Sequence, residues 1–365
     1  MGELNLTRRL YFDKATDKYF FAVDELLNME KYSRIEGELK TKLINDATLT
    51  SYGKASKLSN GCVSRQTVHN LVHGVSPNSL VARYEGIKKV NELYIEADED
   101  HIHLNNGKSA EVKLVYVHEG RRKICQGRTE LLNAKYFTAV RGGTDIWNSV
   151  ADYVCFQYDV PRSSIKISGD GAAWIKSGLD FFFGAQYIID KFHVYKSVTD
   201  ASAGSLKFRK RVIDCIKRDD KNAVHKLYAT QLLKELGRPQ QRRMADSLTY
   251  IENNFDDIDL LSEYGCSAEG HISHVLSERM SSRPMAWSID GAEKMAKLRA
   301  FYFNGGKFAD LYKGRIAENC IEEPKKYNVL HLNQKTDHSI PRVRIVGLEE
   351  IYDEVGRFLR FIIKK

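Results

Sequence analysis

The strongest constraint on the fold is a change of hydrophobic rhythm between residues 92 and 190. "ELYIEADEDHIHLNN" alternates apolar and polar residues, which predicts two strands around an acidic corner, Asp98-Glu99-Asp100. "SAEVKLVYVHEGR" predicts a third strand. "TDIWNSVADYVCFQY" then switches to helical spacing, with Thr144 as its N-cap. "SSIKIS" runs as a strand into Asp170, "AAWIKSGLDFFF" is helical, and "AQYIID" is a strand that ends in Asp190. The order is therefore β-β-β-α-β-α-β, and two of the strands drive straight into a carboxylate before a helix begins.

Three hairpin-connected strands followed by helix, strand, helix and strand is the order of a ribonuclease-H-like mixed sheet, an α/β fold. In that layout the first strand is central and the fourth runs beside it, so Asp98 and Asp170 would stand side by side. Two such carboxylates can share a cation. Phosphodiester chemistry uses two Mg²⁺ (or Mn²⁺) ions roughly 3.5–4 Å apart to activate the attacking oxygen and stabilise the leaving one. Mg²⁺ takes hard oxygen ligands and keeps several waters, so a few carboxylates suffice. Glu269, in the first turn of the helix opened by "GCSAEGHISH", is the candidate third carboxylate. Gly171 keeps the backbone small beside the ions.

Each of these residues also has a plain structural reading. Asp before Gly is ordinary turn chemistry, and Asp170 would then cap its helix. Glu269 would only complement a helix dipole, and the acidic corner would be a solvated hairpin. Asp190 and His193 are one helical step apart at a strand-to-helix junction. Asp190 there caps the helix with His193 leaning on it, or else the pair and Lys196 face a phosphate at the sheet edge.

Upstream, "TRRLYFDKATDKYFFAVDELLNM" predicts a strand hairpin leading into an amphipathic helix, within a region spanning 1–50. Residues 51–84 have the layout of a helix-turn-helix: a helix over Tyr52 to Leu58, the turn dipeptide Asn60-Gly61, then Ser64 capping a helix that carries Val68, Leu71 and Val72. Ser64, Arg65, Gln66 and Asn70 fall at the start of the second helix, and Arg, Gln and Asn are residue types that read base edges in a major groove. Ser51 to Tyr84 contains no Asp or Glu. The core is expected over 90–200, a helical insertion over 201–262, the glutamate helix over 263–304 and a tail over 305–365, with a short amphipathic end at "LEEIYDEVGRFLRFIIKK".

Charge gives the basic stretch its meaning. The chain carries a net charge of +8, and Lys207 to Arg243 alone holds twelve Lys and Arg against four acids. Such a run is either a solvated helical face or a grip on a polyanion, with Lys207, Arg209, Lys210 and Arg211 leading it. The six cysteines are scattered with no close pair, which argues against a disulfide framework or zinc ribbon and for a reducing compartment. No apolar run has the length of a membrane span and "MGELNLTRR" lacks a signal-peptide core, so a cytoplasmic protein without a membrane partner is expected.

"IEADEDHIHL", "ISGDGAAWIK", "LDFFFGAQYIIDKFHVYKSV" and "GCSAEGHISHVLSERMSSRPMAWS" resemble the ISLre-type bacterial insertion-sequence transposases, relatives of the Mutator-like enzymes with a DDE triad. The likeness runs from about Leu10 to Gly306. It implies a DNA transposase that cuts element ends and joins them to target DNA. It places the metal triad at Asp98, Asp170 and Glu269, and matches Asp190 and His193 to a D-x-x-H motif. The implied partner is DNA, terminal repeats and target alike, with a homo-oligomer assembled on it and the protein at the nucleoid when bound. The spacings of 72 and 99 residues between the three acids suit a core that carries a helical insertion. The family's longer N-terminal region raises the expectation that this chain is a shortened copy. Its rival reading is a repurposed DNA-binding protein that no longer cuts.

Overall fold

The computed structural model describes residues 10–13, 17–21, 35–75, 87–125, 128–161, 164–233, 236–262 and 264–310. The strands β1 (Leu10–Asp13) and β2 (Lys18–Phe21) pair antiparallel, as the sequence predicts. The helix expected directly after this hairpin, and the amphipathic end of the chain, lie outside the described residues.

Three helices follow: α1 (Gly37–Leu49), α2 (Tyr52–Leu58) and α3 (Arg65–His73). Ser51 and Ser64 cap α2 and α3 by accepting from the N–H groups of Lys54 and Thr67, which satisfies donors the helices leave open. The turn between them is made at Asn60 and Gly61, at φ of 56° and 72°. Leu43, Ile44, Ala47, Ala55, Val68 and Val72 are fully buried, so the three helices share one core.

A two-residue strand β3 (Lys88–Lys89) precedes β4 (Leu93–His103), which corrects the expected acidic corner. One unbroken strand of 11 residues runs through Asp98-Glu99-Asp100, and the chain turns later, where Gly107 has φ 79°. The reason is tertiary. β4 lies in the middle of the sheet, and β5 pairs with it through the acidic stretch, from Asp98 opposite Leu114 to Asp100 opposite Val112, which holds that stretch extended. The expected third strand is therefore the second, β5 (Ser109–His118). A side hairpin of β6 (Arg121–Cys125) and β7 (Arg128–Leu131) intervenes before the true third strand, β8 (Lys135–Ala139).

Helix α4 (Gly143–Gln157) starts one residue earlier than expected. Gly142, in the left-handed region at φ 74°, occupies the cap, and Thr144 lies inside the first turn. Then come β9 (Tyr158–Asp159), β10 (Ile165–Gly169), the short helix α5 (Ala173–Lys176) with a 3₁₀ turn over Ser177–Asp180, and β11 (Gln186–Ile189). Four helices follow, α6 (Lys191–Ala201) and then, in the region expected as the insertion, α7 (Leu206–Lys217), α8 (Lys221–Leu232) and α9 (Arg238–Asn254). The last elements are α10 (Ala268–Ile272), a π-helical turn over Ser273–Ser277, α11 (Glu278–Met280) and α12 (Ile289–Phe303).

The main sheet has five strands in the order β11-β10-β4-β5-β8, a mixed α/β architecture. β8, β5 and β4 pair antiparallel, while β10 and β11 run parallel to β4. Alternation along β4 and β5 divides the core. Leu93, Ile95, Ala97, Val115 and Val117 face α4, α6 and the insertion helices, where Trp147, Val194, Val212 and Tyr228 are fully buried. Ile102, Leu104, Val112, Leu114 and Tyr116 face α1, α3, α10 and α12. The helix-turn-helix thus shares one core with the second face, and Lys294 of α12 donates to the His73 carbonyl at the end of α3. Among the described residues no helix is long and apolar enough to cross a membrane.

Candidate active site

The sheet register brings the acidic residues together. β10 pairs with β4 from Ile165 opposite Leu93 to Ser168 opposite Glu96. Two residues further on, Asp170 leaves the strand end beside Asp98, close enough that its charge raises Asp98's pKa. Gly169 permits this approach: a Cβ there would lie 2.8 Å from the Ala97 carbonyl oxygen and 2.7 Å from Ile175 Cδ1.

Burial pushes the Asp98 carboxyl up to about 6, and the charges of Asp170 and Glu99 add to the effect. A backbone N–H from Glu99, donating to Asp98 Oδ1 at 2.8 Å, and the nearby His193 oppose it. Glu99 points the other way by strand alternation, and its carboxylate accepts from Trp174 Nε1 at 2.6 Å. It too is pushed up, by burial and then by Glu111.

Asp170 makes the local turn that its sequence suggests, with Oδ1 accepting from the Ala172 N–H at 2.8 Å. The turn is also gripped from outside. Tyr250 of α9 donates its hydroxyl to the Asp170 carbonyl at 2.9 Å, and the Gly171 N–H donates to the Tyr187 hydroxyl at 3.0 Å. Gly171 has φ 97°, and a Cβ there would meet Asn254 Oδ1 at 2.7 Å. Beside it opens a cleft of about 580 Å³ lined by Asp170, Lys176, Thr249, Tyr250, Asn253 and Asn254.

Asp190 caps α6, accepting from Phe192 N–H at 3.0 Å, and its own N–H donates to the Gly169 carbonyl at 2.8 Å. It is buried, which raises its pKa, and His193 Nε2 lies 3.9 Å from its carboxylate. His193 therefore leans on the cap residue, as the plain structural reading expects, and it also lies near enough to Asp98 to lower that carboxyl's pKa. Lys196 is exposed, with its ammonium 5.8 Å from the Phe192 ring centre.

Glu269 stands in the first turn of α10, exposed, on a helix packed against β4. Among the described residues no three His, Cys, Asp or Glu side chains converge closely enough to hold a metal ion. Asp98 thus feels the charges of Asp170 and His193, and His193 lies 3.9 Å from Asp190, while neither these residues nor Glu269 close into a metal-sized cluster.

One buried carboxylate was missed from sequence. Glu96 is fully buried two residues before Asp98, on the same side of β4. Burial alone would raise its carboxyl. The hydrogen bond and charge of His118, with Arg121 and the Tyr116 hydroxyl, overcome that and hold it well below the usual carboxylate range. The signal was present: an acid inside an alternating strand needs buried partners, and "VHEGRR" supplies His118 and Arg121 from the next strand.

The residues expected to contact DNA are on the surface. Arg65, Gln66 and Asn70 are exposed on α3, with Gln66 Nε2 donating to Asn70 Oδ1 at 2.9 Å, while Ser64 is used as the cap. Lys207, Arg209, Lys210 and Arg211 form the exposed side of α7, whose other side buries Phe208, Val212, Ile213 and Ile216.

Fold and site define a mixed α/β protein with a carboxylate cluster at the junction of its central and first parallel strands. The model of an uncharacterised protein family (UPF0236) matches residues 1–318, and the chain belongs to that family. It is 36% identical to a UPF0236 protein of Caldanaerobacter subterraneus subsp. tengcongensis over 367 residues, covering 96% of this chain and 78% of the relative. A second relative from the same organism, UPF0236 protein TTE2489, is 36% identical over 86% of this chain and 70% of its own length. The UPF0236 protein in the vanSb 3′ region of Streptococcus gallolyticus is 24% identical over 92% of this chain and 78% of its own length.

Proposed function

We propose that this protein is a DDE-type DNA transposase with a ribonuclease-H-like catalytic core. The observation that carries this reading is Asp170 set beside a half-buried Asp98 whose carboxyl is pushed up to about 6. Two carboxylates so placed repel when ionised, and a divalent cation relieves both the repulsion and the burial of charge. The hard oxygen donors of Asp98 and Asp170 fit Mg²⁺ or Mn²⁺, and Glu269 on the same side of the sheet is the third ligand of the proposal. The chemistry that two such ions supply when bound is activation of an attacking oxygen and stabilisation of the leaving one.

The chain's own residues do the rest. Asp190 fixes the start of α6 and so sets His193 near Asp98. Gly171 leaves no side chain between the Asp170 turn and the cleft beside it, where a DNA strand would lie. Arg65, Gln66 and Asn70 would read bases, and Lys207, Arg209, Lys210 and Arg211 would hold phosphates. Support also comes from a relative: its name joins eleven designations from one organism, as expected of an element that copies itself around a genome.

The test is nicking of supercoiled plasmid in Mg²⁺ or Mn²⁺ by the wild type, Asp170→Asn and Glu269→Gln. Cutting by the wild type alone supports the triad, and cutting by Asp170→Asn refutes it. Joined products separate a transposase from a plain nuclease. That no three acids close into a metal-sized group among the described residues favours a second reading, a DNA-binding protein that no longer cuts. Tight, salt-sensitive DNA binding without metal-dependent nicking is its signature.

A further inference from the structure

Glu96 accepts from every element around it. Its Oε1 takes His118 Nε2 at 3.0 Å, an Arg121 guanidinium nitrogen at 2.9 Å and the Tyr264 hydroxyl at 2.9 Å. Its Oε2 takes the Tyr116 hydroxyl, the Ser267 N–H at 2.7 Å, the Ser267 hydroxyl at 3.1 Å and Cys266 Sγ at 3.4 Å. The carboxylate is fully buried. A carboxylate removed from water is costly unless its oxygens are satisfied, and here both are.

The donors fall into two groups. Tyr116, His118 and Arg121 belong to β5 and β6, already fixed by the sheet and its side hairpin. Tyr264, Cys266 and Ser267 belong to the segment that leads into α10, and Ser267 is the residue at the start of that helix. Glu269 follows two residues later. The same lead-in passes near Asp190, since Cys266 is close enough to influence that carboxyl. Aromatic packing holds the segment from outside: Tyr264 stacks on Tyr94 at 4.9 Å and 10°, and the Arg121 guanidinium lies 5.7 Å from the Tyr264 ring centre.

From this arrangement we infer that Glu96 is a positioning residue that fastens the start of the Glu269 helix to the strand carrying Asp98. The inference rests on the proposed metal-dependent reading. Glu96 and Asp98 share one side of one rigid strand, so the fastening fixes the N-terminal end of α10 relative to the Asp98–Asp170 pair. Just beyond Glu269 the helix passes into its π-helical turn, a less regular segment. Held at its start by Glu96 and in its π-helical continuation by Arg299, which donates to the His274 and Val275 carbonyls, the helix carries Glu269 at a fixed place relative to β4. An apolar residue at position 96 would fill the same space without accepting from the Ser267 N–H and hydroxyl.

The experiment uses the full chain and Mn²⁺ as probe, followed by electron paramagnetic resonance, with amide hydrogen exchange on the metal-free protein. Asp170→Asn is run alongside and should lose Mn²⁺ binding. Glu96→Gln keeps the shape but replaces one acceptor oxygen with a donor, and Tyr264→Phe removes a single donor while keeping the ring stack. Both should speed exchange over residues 264–272 and leave β4 and β5 protected. Both should weaken Mn²⁺ binding, by about 10-fold or more for Glu96→Gln and less for Tyr264→Phe, the range usual for residues that orient metal ligands. Should Glu96→Gln fail to fold, Tyr264→Phe alone decides the matter. Faster exchange at 264–272 with Mn²⁺ affinity within about twofold of wild type overturns the positioning role. Unchanged exchange overturns the anchor itself. A wild type that binds no Mn²⁺ removes the metal reading, and the positioning role falls with it.

Discussion

Asp98→Asn is the most informative single change. Burial and the neighbouring acids carry this carboxyl from 3.8, its ordinary value, to about 6 in the folded protein. The fold therefore holds the Asp98 proton more tightly than the unfolded chain does. That preference favours folding in full below about pH 4 and is lost as the pH rises through about 6, after which ionised Asp98 weighs against the fold. The displacement corresponds to about 3 kcal/mol, and the residual solvent contact of this half-buried group trims it to about 2 kcal/mol. Asn has the same shape, accepts the Glu99 N–H equally well, and has no proton to lose. Thermal unfolding in EDTA should show the gap between Asp98→Asn and wild type widening between about pH 4 and pH 7, to roughly 4 °C in favour of the variant. Millimolar Mg²⁺ should then stabilise the wild type and not the variant. A gap that stays flat with pH, or a variant that melts lower at neutral pH, would refute the claim that a buried, cation-seeking carboxylate sits at this position.

Three further outcomes follow from other contacts. Gly169→Ala drives a methyl against the Ala97 carbonyl and Ile175, so urea unfolding should show a loss of about 1–3 kcal/mol and Mn²⁺ binding should weaken as β10 shifts from β4. Ser64→Ala removes the cap of α3 and should cost about 1 kcal/mol in chemical unfolding, with no change in the salt dependence of DNA binding. Replacing Lys207, Arg209, Lys210 and Arg211 together by Ala should lower the slope of log affinity against log salt by about 3–4 in a titration with duplex DNA; an unchanged slope leaves this exposed side of α7 as an ordinary solvated face.

How much of this was legible beforehand depends on the range of the forces involved. The helix-turn-helix was readable nearly residue by residue, because Ser51, Ser64, Asn60 and Gly61 act through hydrogen bonds and φ angles within a few residues of themselves. From α4 onward the succession of helices and strands in the core was readable from periodicity, including the two strands that end in Asp170 and Asp190. The acidic stretch was misread as a corner because local propensity disfavours three consecutive acids in a strand. Only the long-range pairing with β5, which runs opposite Asp98, Glu99 and Asp100, holds it straight. For the same reason β8 and the β6–β7 hairpin went unrecognised.

By itself the sequence determined which residue types are available: a run of carboxylates, a capped helix pair and a basic helix face, all set by local chemistry. Tertiary structure decided which of them meet. The parallel register that sets Asp170 beside Asp98, the burial that raises Asp98, and the seven donors that make Glu96 tolerable in the core come from residues up to 171 positions apart in the chain. No local pattern encodes such distances, because burial and charge coupling exist only once the sheet has closed around them.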